Sequence, residues 1–161
     1  MRKAVAVAGG LLAFLGGGAI WQMREFDMFE MVYCMNGKTN IPAFVCRQWM
    51  HAFRGHAEDV QYVREHGLGS ILELQDAGER EELLKRFLSR GVDVNAKTQG
   101  YTGLHYAVMV KNADVARLLL KYGADTSIRD DAHRATPLQY ATELKEKTRT
   151  RDYEEVMKAL R

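Results

Sequence analysis

Residues 100–125 read GYTGLHYAVMVKNADVARLLLKYGAD, and their succession of turn, helix, turn, helix and turn decides the fold. Thr102 is placed to cap the helix that follows it, its hydroxyl accepting a backbone N–H of the first turn. Leu104, Ala107 and Val108 form an apolar stripe at i, i+3 and i+4, and the small Ala107 lets a neighbouring helix approach closely. The second helix is predicted over Asn112 to Lys121, with Val115, Leu118 and Leu119 facing inward. Gly123 ends it in the left-handed conformation glycine tolerates, and Asp125 opens the next turn. Neither helix carries enough apolar surface to stand alone, so copies of the unit must stack.

The copies are present. Thr102-Gly103-Leu104-His105-Tyr106-Ala107 recurs as Thr136-Pro137-Leu138-Gln139-Tyr140-Ala141, and Gly91-Val92-Asp93 recurs as Gly123-Ala124-Asp125. The first offset exceeds the second by two. The difference is a loop insertion, because the stretch from Gly123 to Thr136 is longer by two than the stretch from Gly91 to Thr102. These units resemble ankyrin repeats, with the strong match over residues 79–141. Extending the register upstream reaches Ser70 as a cap, with Leu72 and Leu74 behind it, and a second helix over Glu79 to Arg90 carrying Leu83, Leu84, Phe87 and Leu88. One step further, Gly55 to Gly67 has the spacing of a second helix with Val60 and Val63, while Phe44 to Phe53 is a divergent first helix with a Val45, Trp49, Phe53 stripe. At the other end Tyr153, Val156, Met157 and Leu160 line a closing helix, and Glu143 to Arg151 is polar enough for an outer surface. The expectation is an all-α fold: a short ankyrin-like solenoid of about four helix-turn-helix repeats with atypical caps over residues 44–161, preceded by an N-terminal hydrophobic helix.

The first 21 residues read as an address. Met1-Arg2-Lys3 precedes an uncharged run from Ala4 to Trp21. As a helix that run reaches roughly 27 Å, just short of a hydrocarbon core of about 30 Å. Two readings stay open: an anchor with Trp21 at the interface, or a signal peptide cut after Ala19, where Gly17-Gly18-Ala19 supplies small residues. Either way the positive-inside rule keeps Arg2 and Lys3 cytoplasmic and sends the body outward. The expected location is a bacterial inner membrane, held through residues 4–21 and facing the periplasm, or the periplasm itself after cleavage. Residues 22–43 then form a linker or cap segment. It carries Cys34, and Cys46 follows across a polar, turn-rich stretch around Gly37 and Pro42. A disulfide closing this loop contributes about 3 kcal/mol in the chain-entropy description, and the alternative is two unpaired core cysteines.

Beyond Trp21 the chain holds 21 acidic and 21 basic side chains and is formally neutral. Without a basic stripe it is a poor electrostatic partner for nucleic acid. There is no Gly-rich phosphate loop, no His-Glu-x-x-His and no Gly-x-Ser-x-Gly, so no enzyme activity and no cofactor are expected. Cys46, His51 and His56 are spaced by five, which a straight helix cannot converge on one metal ion. His105 invites reading as a general base. In ankyrin-like units this histidine instead hydrogen-bonds backbone between neighbouring loops, and Gln139 at the same register can do that but no acid–base work.

The resemblance implies a concave surface that grips another protein. The outward positions fall on Thr98, Gln99, Tyr101, Met109 and Val110 in one repeat, and near Ala132, His133, Ala135, Glu143 and Leu144 in the next. Tyr101, Met109 and Val110 are apolar or amphipathic, so either a partner covers them or they pack beneath the following hairpin or the inserted loop at 131–135. The functional expectation is a non-enzymatic binding protein, monomeric before its partner arrives. It is either an inhibitor or immunity-type protein that occludes a secreted toxin or lytic enzyme, or a membrane-tethered assembly or stress-protection accessory of an envelope protein. A third reading, a small hydrolase, requires His51, His56 and His66 to converge.

Overall fold

The computed structural model describes residues 26–161, and the chain divides after Asp59 into two units. The apolar stretch 4–21 lies outside the described residues. Among those described, no helix is long and apolar enough to cross a membrane.

In the first unit, α1 (Met28–Met35) begins at a capping box: the Glu30 N–H donates to Asp27 Oδ1 at 2.8 Å and the Asp27 N–H to Glu30 Oε2 at 3.3 Å. Helix α2 (Ala43–Phe53) starts directly after Pro42, whose fixed φ suits a helix entry. Met28, Met31, Val32, Cys34 and Met35 are buried, and α2 answers with Cys46 and Met50. Cys34 and Cys46 are disulfide-bonded with their Cα atoms 6.0 Å apart. That bond corrects the stripe read from the sequence. With Cys46 held inward, the buried line of α2 runs through Cys46 and Met50 rather than Val45, Trp49 and Phe53. The Trp49 and Phe53 rings lie 4.5 Å apart at a tilt, and Phe53 stays 55% exposed. The segment expected as a linker or cap, residues 22–43, contains α1.

Helix α3 (Ala57–His66) carries Val60 and Val63, both buried, as the spacing predicts. After Gly67 the chain makes only one turn of helix, α4 (Gly69–Leu72), before α5 (Ala77–Leu88). Ser70 does not cap this turn. It lies inside it, and its hydroxyl has no hydrogen-bond partner. Asp76 caps α5, its Oδ1 accepting the Glu79 N–H at 2.9 Å, and starts that helix earlier than the register suggests. Arg80, buried at the start of α5, donates to the carbonyls of Leu74 (3.0 Å) and Gln75 (3.2 Å), satisfying backbone that so short a helix leaves open.

Helices α6 (Gly103–Met109) and α7 (Ala113–Lys121) form the repeat read first, followed by α8 (Pro137–Thr148) and α9 (Glu154–Ala159). Asn112 caps α7, accepting the N–H groups of Asp114 and Val115. Helix α6 packs on α7 and α8, and α9 closes against α7 and α8. The predicted faces hold, with Leu104, Ala107, Val108, Val115 and Leu119 buried alongside Tyr153, Val156, Met157 and Leu160. One position differs: Leu118 is half-buried, and Ala116 occupies the interior in its place. Of the polar run expected as an outer surface, residues 146–149 are exposed and 143–145 half-buried. The described residues are thus helical, with Thr98 and Tyr101 as an isolated antiparallel bridge.

Gly67 shows how closely the layers approach. Its φ is +75°, and a Cβ placed there would lie 1.6 Å from the Thr98 hydroxyl oxygen. Gly67→Ala is expected to lose about 2 kcal/mol or more, combining left-handed strain with overpacking. A denaturant titration checks this, and Thr98→Ala should recover part of the loss by clearing the contact.

Candidate protein-binding site

The surface is built on two turns of different construction. In the first, the Thr98 N–H donates to the Tyr101 carbonyl at 2.9 Å and the Tyr101 N–H to the Thr98 carbonyl at 3.0 Å. Gln99 (φ 51°) and Gly100 (φ 85°) are both left-handed, so the connection is a tight two-residue hairpin whose twist suits its arms. The second turn contains the inserted residues. Asp130, fully buried, holds it from inside: Oδ1 accepts the His133 N–H at 2.5 Å and Oδ2 the Ala135 N–H at 3.1 Å. The Asp131 N–H donates to the Gly100 carbonyl at 3.0 Å, and Lys97 pairs with Asp131 at 2.5 Å, so one turn is tied to the next.

His105 links the same two turns through the interior. Its Nδ1 accepts the Thr102 N–H at 3.4 Å and lies 2.8 Å from the Thr102 hydroxyl, while Nε2 lies 3.0 Å from the Ala135 carbonyl. A carbonyl only accepts, so the proton is on Nε2, and a neutral ring satisfies every contact. Burial pushes the His105 pKa below the ordinary histidine value, against the opposing pull of the Ala135 carbonyl and of Asp130. Burial alone would raise Asp130. The N–H groups of His133 and Ala135, with the two nearby imidazoles, outweigh it and hold the carboxyl below its usual range. One repeat on, Thr136 and Gln139 reproduce the cap reciprocally, at 3.0 and 3.3 Å, without an ionisable group.

The residues predicted to face a partner divide into three groups. Met109 and Val110 are exposed, at 40% and 46%. Tyr101 is half-covered: its ring lies 5.9 Å from Tyr140 and 6.5 Å from His133, so the inserted loop covers part of it. Gln99, Ala132 and His133 are exposed, whereas Thr98, Glu143 and Leu144 are half-buried. Ala135 is a correction. It is only 3% exposed, because the turn closes around it to deliver its carbonyl to His105 and its N–H to Asp130. Sequence reading also missed Arg129, Arg134 and Gln139, which with His133, Thr142 and Glu143 line an open groove of about 430 Å³ beside α8. The signal was available: the offset that carries Thr102 onto Thr136 also places Arg134 at the register of Gly100.

Residues 73–160 match the sequence family described as ankyrin repeats in 3 copies. The chain belongs to the ankyrin-repeat family. It is 30% identical over 146 residues to Protein PhlB of Serratia liquefaciens, covering 88% of this chain and 63% of that protein. Over 94 residues it is 29% identical to a putative ankyrin repeat protein of fowlpox virus, covering 58% of this chain and 21% of the viral one. Over 63 residues it is 41% identical to the human mitochondrial disaggregase, covering 38% and 9% respectively. The chain thus spans less than two thirds of the length of each of these relatives. No solved structure matches it. An ankyrin-repeat array is a protein–protein interaction module, so the turns and groove described above are read as contact surface.

The histidines of the hydrolase reading fall in different units. His51 and His56 are exposed in the first, and in the second His66 stacks on Tyr62 at 4.2 Å. Among the described residues no group of three or more His, Cys, Asp and Glu side chains could hold a metal ion.

The His105 environment fixes a pH dependence. Its folded pKa lies below the ordinary 6.5, so below pH 6.5 the unfolded chain takes up a proton before the folded one. The contribution is complete above that value and is lost as pH falls, by up to about 1.4 kcal/mol per pH unit. Stability curves at pH 7.5, 6.0 and 5.0 should show this slope in the parent chain. His105→Gln, which is less stable at pH 7.5 by about 1–3 kcal/mol, should lack it.

Proposed function

We propose that this chain is a non-enzymatic inhibitor or immunity-type protein that acts outside the cytoplasm by occluding a secreted toxin or lytic enzyme. The observation that carries the binding face is the exposure of Met109 and Val110 at one end of α6, with a half-covered Tyr101 at the other. Met and aromatic anchors of this kind dominate the centres of protein interfaces. Support for export comes from the uncharged stretch 4–21 behind Arg2 and Lys3 and from the Cys34–Cys46 bond, since disulfides persist in oxidising compartments. Members of the ankyrin-repeat family typically bind rather than catalyse, and a small scaffold of stacked turns suits occlusion of a larger protein.

The second reading is a membrane-tethered assembly or stress-protection accessory. It is favoured by the length of the 4–21 stretch, which matches an uncleaved anchor. The two differ in what the first 21 residues must do. Replacing them with an unrelated cleavable signal peptide leaves an inhibitor protective, whereas a tether loses function and keeps its affinity.

The binding face is tested by recovering partners from the native envelope fraction with the full chain and with Tyr101→Ala plus Met109→Glu. Loss of two interface anchors is expected to weaken binding on the order of 30-fold or more. Equal recovery by both forms would remove this face.

A further inference from the structure

Arg134 occupies a backbone position that the preceding repeat gives to glycine. Gly100 holds φ 85° in the first turn, and Arg134, its counterpart one repeat on, holds φ 57°. A left-handed, non-glycine residue strains the backbone, a conformation Arg134 shares with Gln99, Lys111 and Arg149, and such strain persists where the surroundings over-determine it. The surroundings here do over-determine it. Buried Asp130 clamps the His133 and Ala135 N–H groups on either side of Arg134, and Arg129 Nη1 donates to the Arg134 carbonyl at 2.7 Å. The clamp spends a buried carboxylate on backbone and leaves it no role toward the guanidinium groups. Neither Arg129 nor Arg134 has a carboxylate within ion-pair distance among the described residues. Both arginines line the 430 Å³ groove, which also contains one carboxylate, Glu143.

We infer that this groove receives an acidic side chain of the partner protein, with the Arg129 and Arg134 guanidinium groups as its cationic element. The inference rests on reading the chain as a protein-binding module and names the chemistry of the partner. A planar guanidinium on a rigid loop suits a carboxylate, because its forked donors engage both oxygens. Glu143 within the same groove disfavours a phosphate dianion more than a single carboxylate, and the formally neutral body adds no wider attraction for polyanions.

The test uses the full chain in non-ionic detergent, titrated with acetylated hexaglutamate and followed by the arginine Nε–H and backbone amide NMR signals. Saturable shifts are expected at Arg129, Arg134 and residues 133–143, with none on titration with hexaglutamine. Arg129→Gln weakens binding about two- to fivefold, Glu143→Gln strengthens it by a similar factor, and Lys158→Gln on the exposed side of α9 leaves it unchanged. Arg134→Gly is the decisive variant. It restores the residue the turn prefers, so the melting temperature rises by about 2–4 °C while hexaglutamate affinity falls two- to fivefold. The inference is overturned by shifts scattered over other surfaces, by equal sensitivity to Lys158→Gln, or by inorganic phosphate moving the arginine signals more than hexaglutamate does. Failure here with partner recovery still sensitive to Tyr101 and Met109 rejects the acidic groove alone. The reverse outcome relocates the main binding face and leaves the groove in place.

Discussion

Each helix pair of this chain is too small to bury its own apolar face, and everything else follows from how one pair is fixed to the next. The apolar stripes on α6 and α7 supply the attraction, but attraction between stripes does not set register. Register comes from the interior hydrogen bonds at the turn end. His105 receives from Thr102 at the start of its own helix and donates to Ala135 in the following turn. Because both contacts are buried, misplacing either turn leaves a desolvated ring nitrogen or carbonyl unpaired, which costs more than the bonds contribute when made. The turns are therefore held as a set, and a residue placed on one has a defined position relative to its neighbours. A binding surface on this scaffold needs no order from the partner.

The stack was legible because its period is written in residues with single physical uses. Thr at the cap, Gly at the helix exit and Leu at inward positions each have one purpose in such a unit, so two copies sufficed to set the register from residue 79 onward. What was not legible has definite causes. Ser70 looked like a cap at the right spacing, yet the helix it was expected to start is a single turn that encloses it, and Asp76 opens the next helix soon after. In α2, helical spacing allowed two neighbouring stripes, one through Val45 and Trp49 and one through Cys46 and Met50. Only the bond to Cys34 chooses between them. Ala135 was assigned to the surface by its place in the turn, although its backbone is what the interior requires.

The groove shows the same limit from the other side. Its residues lie in the stretch where the two copies differ, so a search for similarity passes over them. The two-residue insertion converts a tight hairpin into a loop that must be held by Asp130, and that carboxylate takes its pair of backbone donors from residues flanking Arg134. The insertion thus has two effects at once. It folds His133 over Tyr101 and Tyr140, removing aromatic surface from solvent, and it carries Arg134 outward on a strained backbone.

The exposed apolar surface and the cationic surface therefore fall at different places in the unit. Met109 and Val110 lie at the end of α6 away from both turns, so neither turn covers them. The longer loop lays His133 against Tyr101 of the preceding turn and Tyr140 of α8 and is left with charge at its tip. A partner fitting both would present an apolar edge to α6 and an acidic one to the start of α8. Burial along the first edge would determine how tightly it is held. Charge along the second determines which partners are turned away, since a basic edge placed against Arg129 and Arg134 meets like charge with no carboxylate paired to them to relieve it.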